Sequence, residues 1–193
     1  MRSSEIRKAI EKARPGIARY LEIMERFQRT DVSLDTDFQR RFNGFYRIQR
    51  KKRKWYDQYY SYMESMKGRQ PSFSAVLRHL HSVLGSCEAS FSSKLLATID
   101  PYAPVWDKYV LANAGIRKPP YYSRTKVVDS IDCYWELEQW YGRFTPSEHG
   151  QLMIALFREM VSQHENVTDL KKIDFVLWQS RRDKGSALVI GHL

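Results

Sequence analysis

Apolar residues recur at three- and four-residue intervals along most of the chain, which is the spacing that one face of an α-helix produces. In the first predicted helix these positions are Ile6, Ile10, Ile17, Leu21, Met24 and Phe27. A Ser3-Ser4-Glu5 start signal precedes them, and Pro15-Gly16 predicts a kink or a break. No segment alternates with period two over a convincing length. The pattern therefore predicts an all-α fold, a multi-helix orthogonal bundle of seven to nine helices.

The segment 38–66 combines an aromatic stripe with a run of positive charge. Aromatic residues and methionines recur at helical spacing throughout it, which predicts one amphipathic helix, with Gly44 as a point of bending or close approach. A polar cluster at 30–37 precedes this helix, and Asp35, Thr36 or Asp37 can cap it. The sequence 67–71 ends it.

Proline, glycine and serine divide the rest of the chain into further helices and turns. The predicted elements are a helix from Ser72 or Ser74 to Leu84, a tight turn at 85–90, a helix ending at Ile99, a helix started by Pro104 and closed by Gly115, an extended connector at 117–122, helices at 123–143 and 146–163, and a last helix after Thr168. The tail 180–193 is weakly patterned, and a short strand and a docked coil both remain open.

A chain of 193 residues with 42% hydrophobic residues is long and apolar enough to bury a substantial core. We expect a single all-α domain over 1–193, within which 1–70 could form a basic lobe packed on 71–193. The N-terminus lacks the apolar run of a signal peptide, and no segment has the ~18 uninterrupted apolar residues of a membrane span. We therefore expect a soluble, cytoplasmic protein without a membrane partner.

Positive charge is concentrated at one end of the chain. The formal net charge is +10, and residues 1–60 hold 16 Lys or Arg against 8 Asp or Glu. A one-sided basic segment favours a polyanionic partner, and we expect nucleic acid, specifically DNA. The alternative is a solubilising surface, or a patch that meets an acidic protein.

The strongest part of this signal is 40–54, which contains eight Lys or Arg and no acid. A row of cations can neutralise phosphates, and neighbouring Tyr and Trp rings can stack on unpaired bases. The opposing interpretation places the rings in the core and the charges in water. The candidate phosphate-binding residues are Arg40, Arg41, Arg47, Arg50, Lys51, Lys52, Arg53 and Lys54.

Asp107 is a carboxylate among apolar and aromatic residues, close behind Pro104. If Pro104 occupies the first helical position, Asp107 lies in the first turn, where the helix dipole favours an acid by ~0.3–1 kcal/mol. That local role explains an acid at this point. The functional hypothesis is a carboxylate at the edge of a cleft, acting as a general acid or base or stabilising developing positive charge.

The stretch 73–116 resembles the helix-hairpin-helix DNA glycosylase superfamily. It contains a helix, a short turn with Gly85, a second helix, a proline-rich link and a helix that begins at Val105-Trp106-Asp107 and ends at Gly115-Ile116. By this resemblance Asp107 is the catalytic aspartate, and Gly85 and Lys94 belong to the DNA-contacting hairpin region. The resemblance implies excision of a damaged or flipped base.

The chain departs from that family at several positions. The hairpin has one glycine where family members usually have Leu-Pro-Gly-Val-Gly, and Trp106 rather than valine precedes Asp107. Members with lyase activity carry a lysine where Cys87 or Glu88 stands here, and Lys94 follows about two helical turns later. The cysteines that bind an iron–sulfur cluster in some members are absent.

Nothing in the sequence indicates a cofactor. It contains no GxGxxG, GxxxxGK[ST] or GxSxG motif, and the histidines have no ligand-spaced neighbours, so we expect neither a nucleotide nor a metal. Cys87 and Cys133 have no CxxC context, and we expect free, buried thiols. Three hypotheses remain: a glycosylase-like DNA-binding enzyme, a non-catalytic nucleic-acid-binding module, and an all-helical protein-interaction domain.

Overall fold

Nine α-helices and one short 3-10 helix occupy residues 1–180, the part of the chain that the computed structural model describes. The α-helices are α1 (Ser3–Arg29), α2 (Thr36–Tyr46), α3 (Arg53–Ser65), α4 (Phe73–Leu84), α5 (Ala89–Ile99), α6 (Lys108–Ala114), α7 (Lys126–Phe144), α8 (Glu148–Met160) and α9 (Asp169–Gln179), and the 3-10 helix is His164–Asn166. This part of the chain contains no strand, which confirms the all-α prediction for it. The alternatives for the tail, a strand or a docked coil, lie outside the described residues.

Several helices begin at the capping residues that the sequence offered. The Asp35 carboxylate accepts hydrogen bonds from the backbone N–H groups of Asp37 and Phe38 at the start of α2. Ser72 caps α4 and Thr168 caps α9 in the same way. Each side chain satisfies amides that the helix itself leaves without partners, so polar residues fix these boundaries.

Two prolines neither end nor start a helix. Pro15 lies inside α1, and the helix continues through it over 27 residues, so of the two predicted alternatives, a kink or a break, the break is wrong. Pro104 does not start a helix, because α6 begins only at Lys108. The segment ahead of α6 is held by tertiary hydrogen bonds instead: the Tyr134 hydroxyl donates to the Pro104 carbonyl at 2.8 Å, and the Trp106 N–H donates to Ser93 Oγ at 2.9 Å.

The single helix predicted for 38–66 is two helices with a turn between them. Helix α2 ends at Tyr46, and Arg47 and Arg50 adopt left-handed backbone conformations with φ of 55° and 58°. Ile48, between them, is buried. A non-glycine residue with positive φ is uncommon. No Gly or Pro marks this break, and the helical spacing of apolar residues continues across it, so the sequence pattern predicted a single helix.

One buried hydrophobic cluster includes residues from all nine α-helices. Helix α1 packs against α2, α8 and α9, and α4 packs against α3, α5 and α7. The aromatic rings of the 38–66 segment lie in this cluster: Phe38, Phe42, Tyr59 and Tyr60 are fully buried. Those rings are therefore core residues and are not available for stacking on bases.

Among residues 1–180, no helix is long and apolar enough to cross a membrane. Within the same residues, no group of three or more His, Cys, Asp or Glu side chains could hold a metal ion. Both thiols are free as expected; Cys133 is buried, whereas Cys87 is only half-buried.

Candidate nucleic-acid interface

The eight cations of 40–54 divide into paired and unpaired groups. Three are engaged in surface ion pairs on their own or a neighbouring helix: Arg40 with Asp37, Arg41 with Asp37 and Glu22, and Arg53 with Asp57. Such exposed pairs are weak, at ~0–1 kcal/mol each, so they hold these side chains only loosely. A fourth cation, Lys51, is partly buried.

Four cations of this segment are exposed and form no ion pair with any residue in the described part of the chain. They are Arg47, Arg50, Lys52 and Lys54. All four lie in the turn between α2 and α3 or at the start of α3. The four charges thus fall within eight consecutive residues of the chain.

The turn between α2 and α3 is fastened to the turn between α4 and α5 through Lys51 and Glu88. The Lys51 ammonium donates to the Glu88 carboxylate at 2.6 Å, and the Trp55 indole N–H and the Ser86 hydroxyl donate to the same oxygen. Glu88 is the only acid of the 85–90 turn. Because its charge is already matched by Lys51, it opposes an approaching phosphate only weakly.

Gly85 ends α4 in the left-handed conformation, with φ of 70°. A Cβ atom added there would meet no other atom within 4 Å, so the glycine is required by its backbone conformation and not by crowding within the protein. The outer side of this turn is therefore open. This turn allows its backbone to approach a ligand closely. It contains one glycine, whereas the glycosylase hairpin that the sequence resembles usually contains two.

The first turns of α7 contact the α4–α5 turn. Cys87 Sγ is 3.8 Å from the Lys126 carbonyl oxygen and 3.5 Å from Ser130 Oγ. The sequence from 108 to 128 holds five Lys or Arg and no acid, a second cationic segment that the sequence-based prediction did not include. The two cationic segments thus border the same turn. We call the surface formed by 47–54, 85–88 and the four cations Arg117, Lys118, Arg124 and Lys126 the basic surface.

Asp107 is the N-cap of α6 and not a residue of its first turn. Its carboxylate accepts a hydrogen bond from the Tyr109 N–H at 2.7 Å. Ser90 Oγ donates to the Trp106 carbonyl at 3.0 Å, which with the Ser93–Trp106 hydrogen bond fixes the backbone just ahead of Asp107 against α5. Helix α5 thereby sets the direction in which the carboxylate points.

Lys94 lies on α5 and is 9% exposed. Its ammonium donates to Ser90 Oγ at 2.7 Å and lies 5.0 Å from the centre of the Phe91 ring. Burial lowers the pKa of Lys94 to about 8; the negative charge of Asp107 opposes this shift, and the positive charge of Lys118 adds to it. A lysine with such a pKa is partly a neutral amine near pH 8 and is not a surface phosphate contact.

Lys94 and Asp107 line a cavity of about 20 Å³ together with the ion pair Lys171–Asp174. Lys171 donates to Asp174 at 2.7 Å, and the Tyr141 hydroxyl donates to the other oxygen of Asp174 at 3.0 Å. The remaining lining residues are Phe45, Tyr46, Val105, Phe175 and Trp178. This volume accommodates about one water molecule, so it is too small for a nucleobase.

The structure therefore separates the predicted site residues into two places. Arg47, Arg50, Lys52, Lys54 and the Gly85 turn belong to the basic surface, and Lys94 and Asp107 share the internal cavity. The buried pair Lys171–Asp174 was not predicted, and the only sequence signal for it is a lysine and an aspartate three positions apart on the last helix.

Comparison of the chain with protein-family models, with curated proteins and with solved structures gave no match.

Proposed function

We propose that the protein binds DNA through the basic surface. The observation that carries this proposal is the set of four exposed cations at 47–54 that form no ion pair within residues 1–180. They lie beside a turn whose only acid is already ion-paired with Lys51. Clustered cations without acidic neighbours lower the free energy of a phosphate backbone nearby and release its counterions on contact. A solubilising surface has no need of such clustering, since interspersed charges of both signs suffice.

The order of elements supports a helix-hairpin-helix, glycosylase-like arrangement as the architecture of this site. Helices α4 and α5 pack against each other across a short turn, and Asp107 follows at the start of α6. In such an arrangement the α4–α5 turn faces the DNA backbone, which is also where the two cationic segments meet. Phosphate contacts of this kind position a protein on DNA without selecting a sequence.

The test is the salt dependence of DNA binding by the full chain. We expect duplex affinity to fall steeply between about 50 and 200 mM salt, with the slope decreasing by about 0.9 for each phosphate contact removed. Lys52→Gln/Lys54→Gln should reduce that slope. Lys8→Gln/Lys12→Gln, which removes the same charge from exposed positions on α1, should not.

Two results would reject the proposal: absence of DNA binding, or binding that salt does not weaken. In either case the basic surface serves an acidic protein partner or solubility. Equal effects of the two double variants would show that net charge and not the basic surface determines affinity.

Base excision is a second candidate function, favoured by one observation: Lys94, with its lowered pKa, and Asp107 line the same cavity. A carboxylate there could stabilise a cationic sugar or activate water, and an amine near neutrality could move a proton. Because the cavity admits only about one water, a flipped base must displace the residues that close it, such as Phe45 and Trp178.

A further inference from the structure

Tyr121 and Tyr122 are the most exposed large hydrophobic side chains of the described residues, at 90% and 86%. They follow Pro119-Pro120 in the connector between α6 and α7, and the Ser123 N–H donates to the Pro120 carbonyl at 3.2 Å. Proline fixes its own backbone φ, so the rings project from a segment with few alternative conformations. Adjacent exposed aromatic rings form an apolar patch of the kind that marks an interaction site.

An open groove of about 690 Å³ begins next to these rings. Its charged lining residues, within the part of the chain that the structure describes, are Arg78, Arg124 and Lys126, and no carboxylate lines it. His81, Ser123 and Thr125 add further hydrogen-bonding groups. The nearest acid on the same helix, Asp129, accepts hydrogen bonds from the Ser123 and Thr125 hydroxyls and is directed toward them.

The first turn of α7 lines part of this groove through residues 126–128, and Asp129 is the acid of that turn. The Lys126 ammonium also lies 4.3 Å from the centre of the Tyr121 ring, which joins the groove to the tyrosine pair.

We propose that Tyr121, Tyr122 and this groove form a subsite for an unpaired DNA nucleotide, with its base stacked on a tyrosine ring and its phosphate in the groove. This inference rests on the proposed DNA-binding function and names the form of DNA preferred, a single strand or a locally unpaired segment. Stacking explains the exposed rings, which a phosphate-only ligand leaves without a role. Bases inside a duplex present no free face to such rings.

The experiment compares a short fluorescein-labelled single strand with its duplex by fluorescence anisotropy, using the full chain. We expect Tyr121→Ala/Tyr122→Ala to weaken single-strand binding about fivefold or more and to leave duplex binding within about twofold. Tyr102→Ala removes a ring that is 73% exposed outside the subsite and should change neither. Circular dichroism is the control for folding, and because all three positions are exposed we expect the variants to give the wild-type spectrum.

Arg124→Gln/Lys126→Gln tests the groove separately. It should weaken single-strand binding and lower its salt slope by about 0.7 for each phosphate that the variant no longer neutralises, whereas the tyrosine variant should leave that slope unchanged. Single-strand binding unaffected by the tyrosine double variant overturns the inference, as does an equal decrease in affinity for both DNA forms. Wild-type protein that binds only duplex also overturns the inference but leaves the proposed function intact; binding to neither form rejects both.

Discussion

Lys51 and Glu88 form a partly buried ion pair, 2.6 Å between ammonium and carboxylate, that joins two turns far apart in the sequence. The ammonium also lies about 5 Å from the centres of the Trp55 and Phe91 rings, so it is held by two aromatic faces as well as by the carboxylate. This contact connects the turn that carries the cations at 47–54 with the Gly85 turn.

Replacing Glu88 by Gln should destabilise the protein and leave DNA binding intact. The change removes the negative charge that pairs with the Lys51 ammonium. Because the pair is partly buried, its loss should lower the free energy of unfolding by about 1–3 kcal/mol. Removing an acid from the basic surface should not reduce its attraction for phosphate. Urea unfolding and duplex binding measure the two effects.

Glu11→Gln is the control for this prediction. Glu11 forms an exposed ion pair with Arg14 on α1, and its removal should change the free energy of unfolding by less than about 1 kcal/mol. Equal destabilisation by the two variants would contradict a special contribution of the Lys51–Glu88 pair.

Lys94→Met should stabilise the protein at pH 7, and the gain should decrease as the pH rises. The pKa of Lys94 is about 8 in the folded chain, against an ordinary value of 10.5, so the unfolded chain binds more protons between these values. The contribution of Lys94 to stability is therefore least favourable below pH 8 and improves toward pH 10.5. The full cost is at most about 3 kcal/mol, because each pKa unit corresponds to about 1.36 kcal/mol.

Urea unfolding of wild type and Lys94→Met at pH 7 and at pH 9.5 tests this. The difference between the two proteins isolates Lys94 from the buried tyrosines, whose raised pKa values affect both equally. Lys12→Met, an exposed substitution on α1, controls for removal of a charge. A stability difference that is constant with pH would contradict the lowered pKa of Lys94.

Local signals in the sequence predict much of this fold, because a helix start depends on residues within one turn of it. Asp35 and Ser72, each one of the predicted capping candidates, cap α2 and α4, and Thr168 caps the helix that was predicted to follow it. Gly85 and Gly115 end helices with positive φ, the conformation for which glycine is suited. Boundaries set by such chemistry can be read without knowledge of the tertiary structure.

Boundaries set by tertiary contacts were predicted wrongly. The break between α2 and α3 depends on burial of Ile48 and on the Lys51–Glu88 pair, neither of which local sequence reveals. The start of α6 depends on Ser93 and Tyr134, which hold residues 104–106 in an extended form. The predicted site residues lie in two separate places for the same reason. The burial of Lys94 and the cavity that it shares with Asp107 result from the packing of α5, α6 and α9, which local sequence does not reveal.

Replacing Gly150 and Gly142 by alanine should have opposite effects on the stability of the protein. A Cβ atom at Gly150 would overlap the Phe144 carbonyl oxygen and lie 2.7 Å from that of Thr145, so Gly150→Ala should force the α7–α8 connection apart. A Cβ atom at Gly142 would meet nothing within 4 Å on an exposed part of α7. Gly142→Ala should therefore stabilise the protein by about 0.5–1 kcal/mol.

Thermal unfolding of the two glycine variants measures these effects. We expect Gly150→Ala to lower Tm and Gly142→Ala to raise it slightly. Similar Tm values for both variants would show that the close approach of the α7 carbonyls to Gly150 does not limit the packing of α8.

Asp107→Asn and Asp107→Ala separate the capping role of this residue from a catalytic one. Asparagine caps a helix about as well as aspartate, whereas alanine costs about 0.5–2 kcal/mol. If the carboxylate acts only as the cap of α6, Asp107→Asn should retain stability and any excision of damaged bases from duplex DNA. If its charge is required for chemistry, Asp107→Asn should bind DNA normally, unfold at the wild-type urea concentration and lose excision. Absence of excision by the wild-type protein across a panel of damaged bases would remove the catalytic role and leave DNA binding to the basic surface alone.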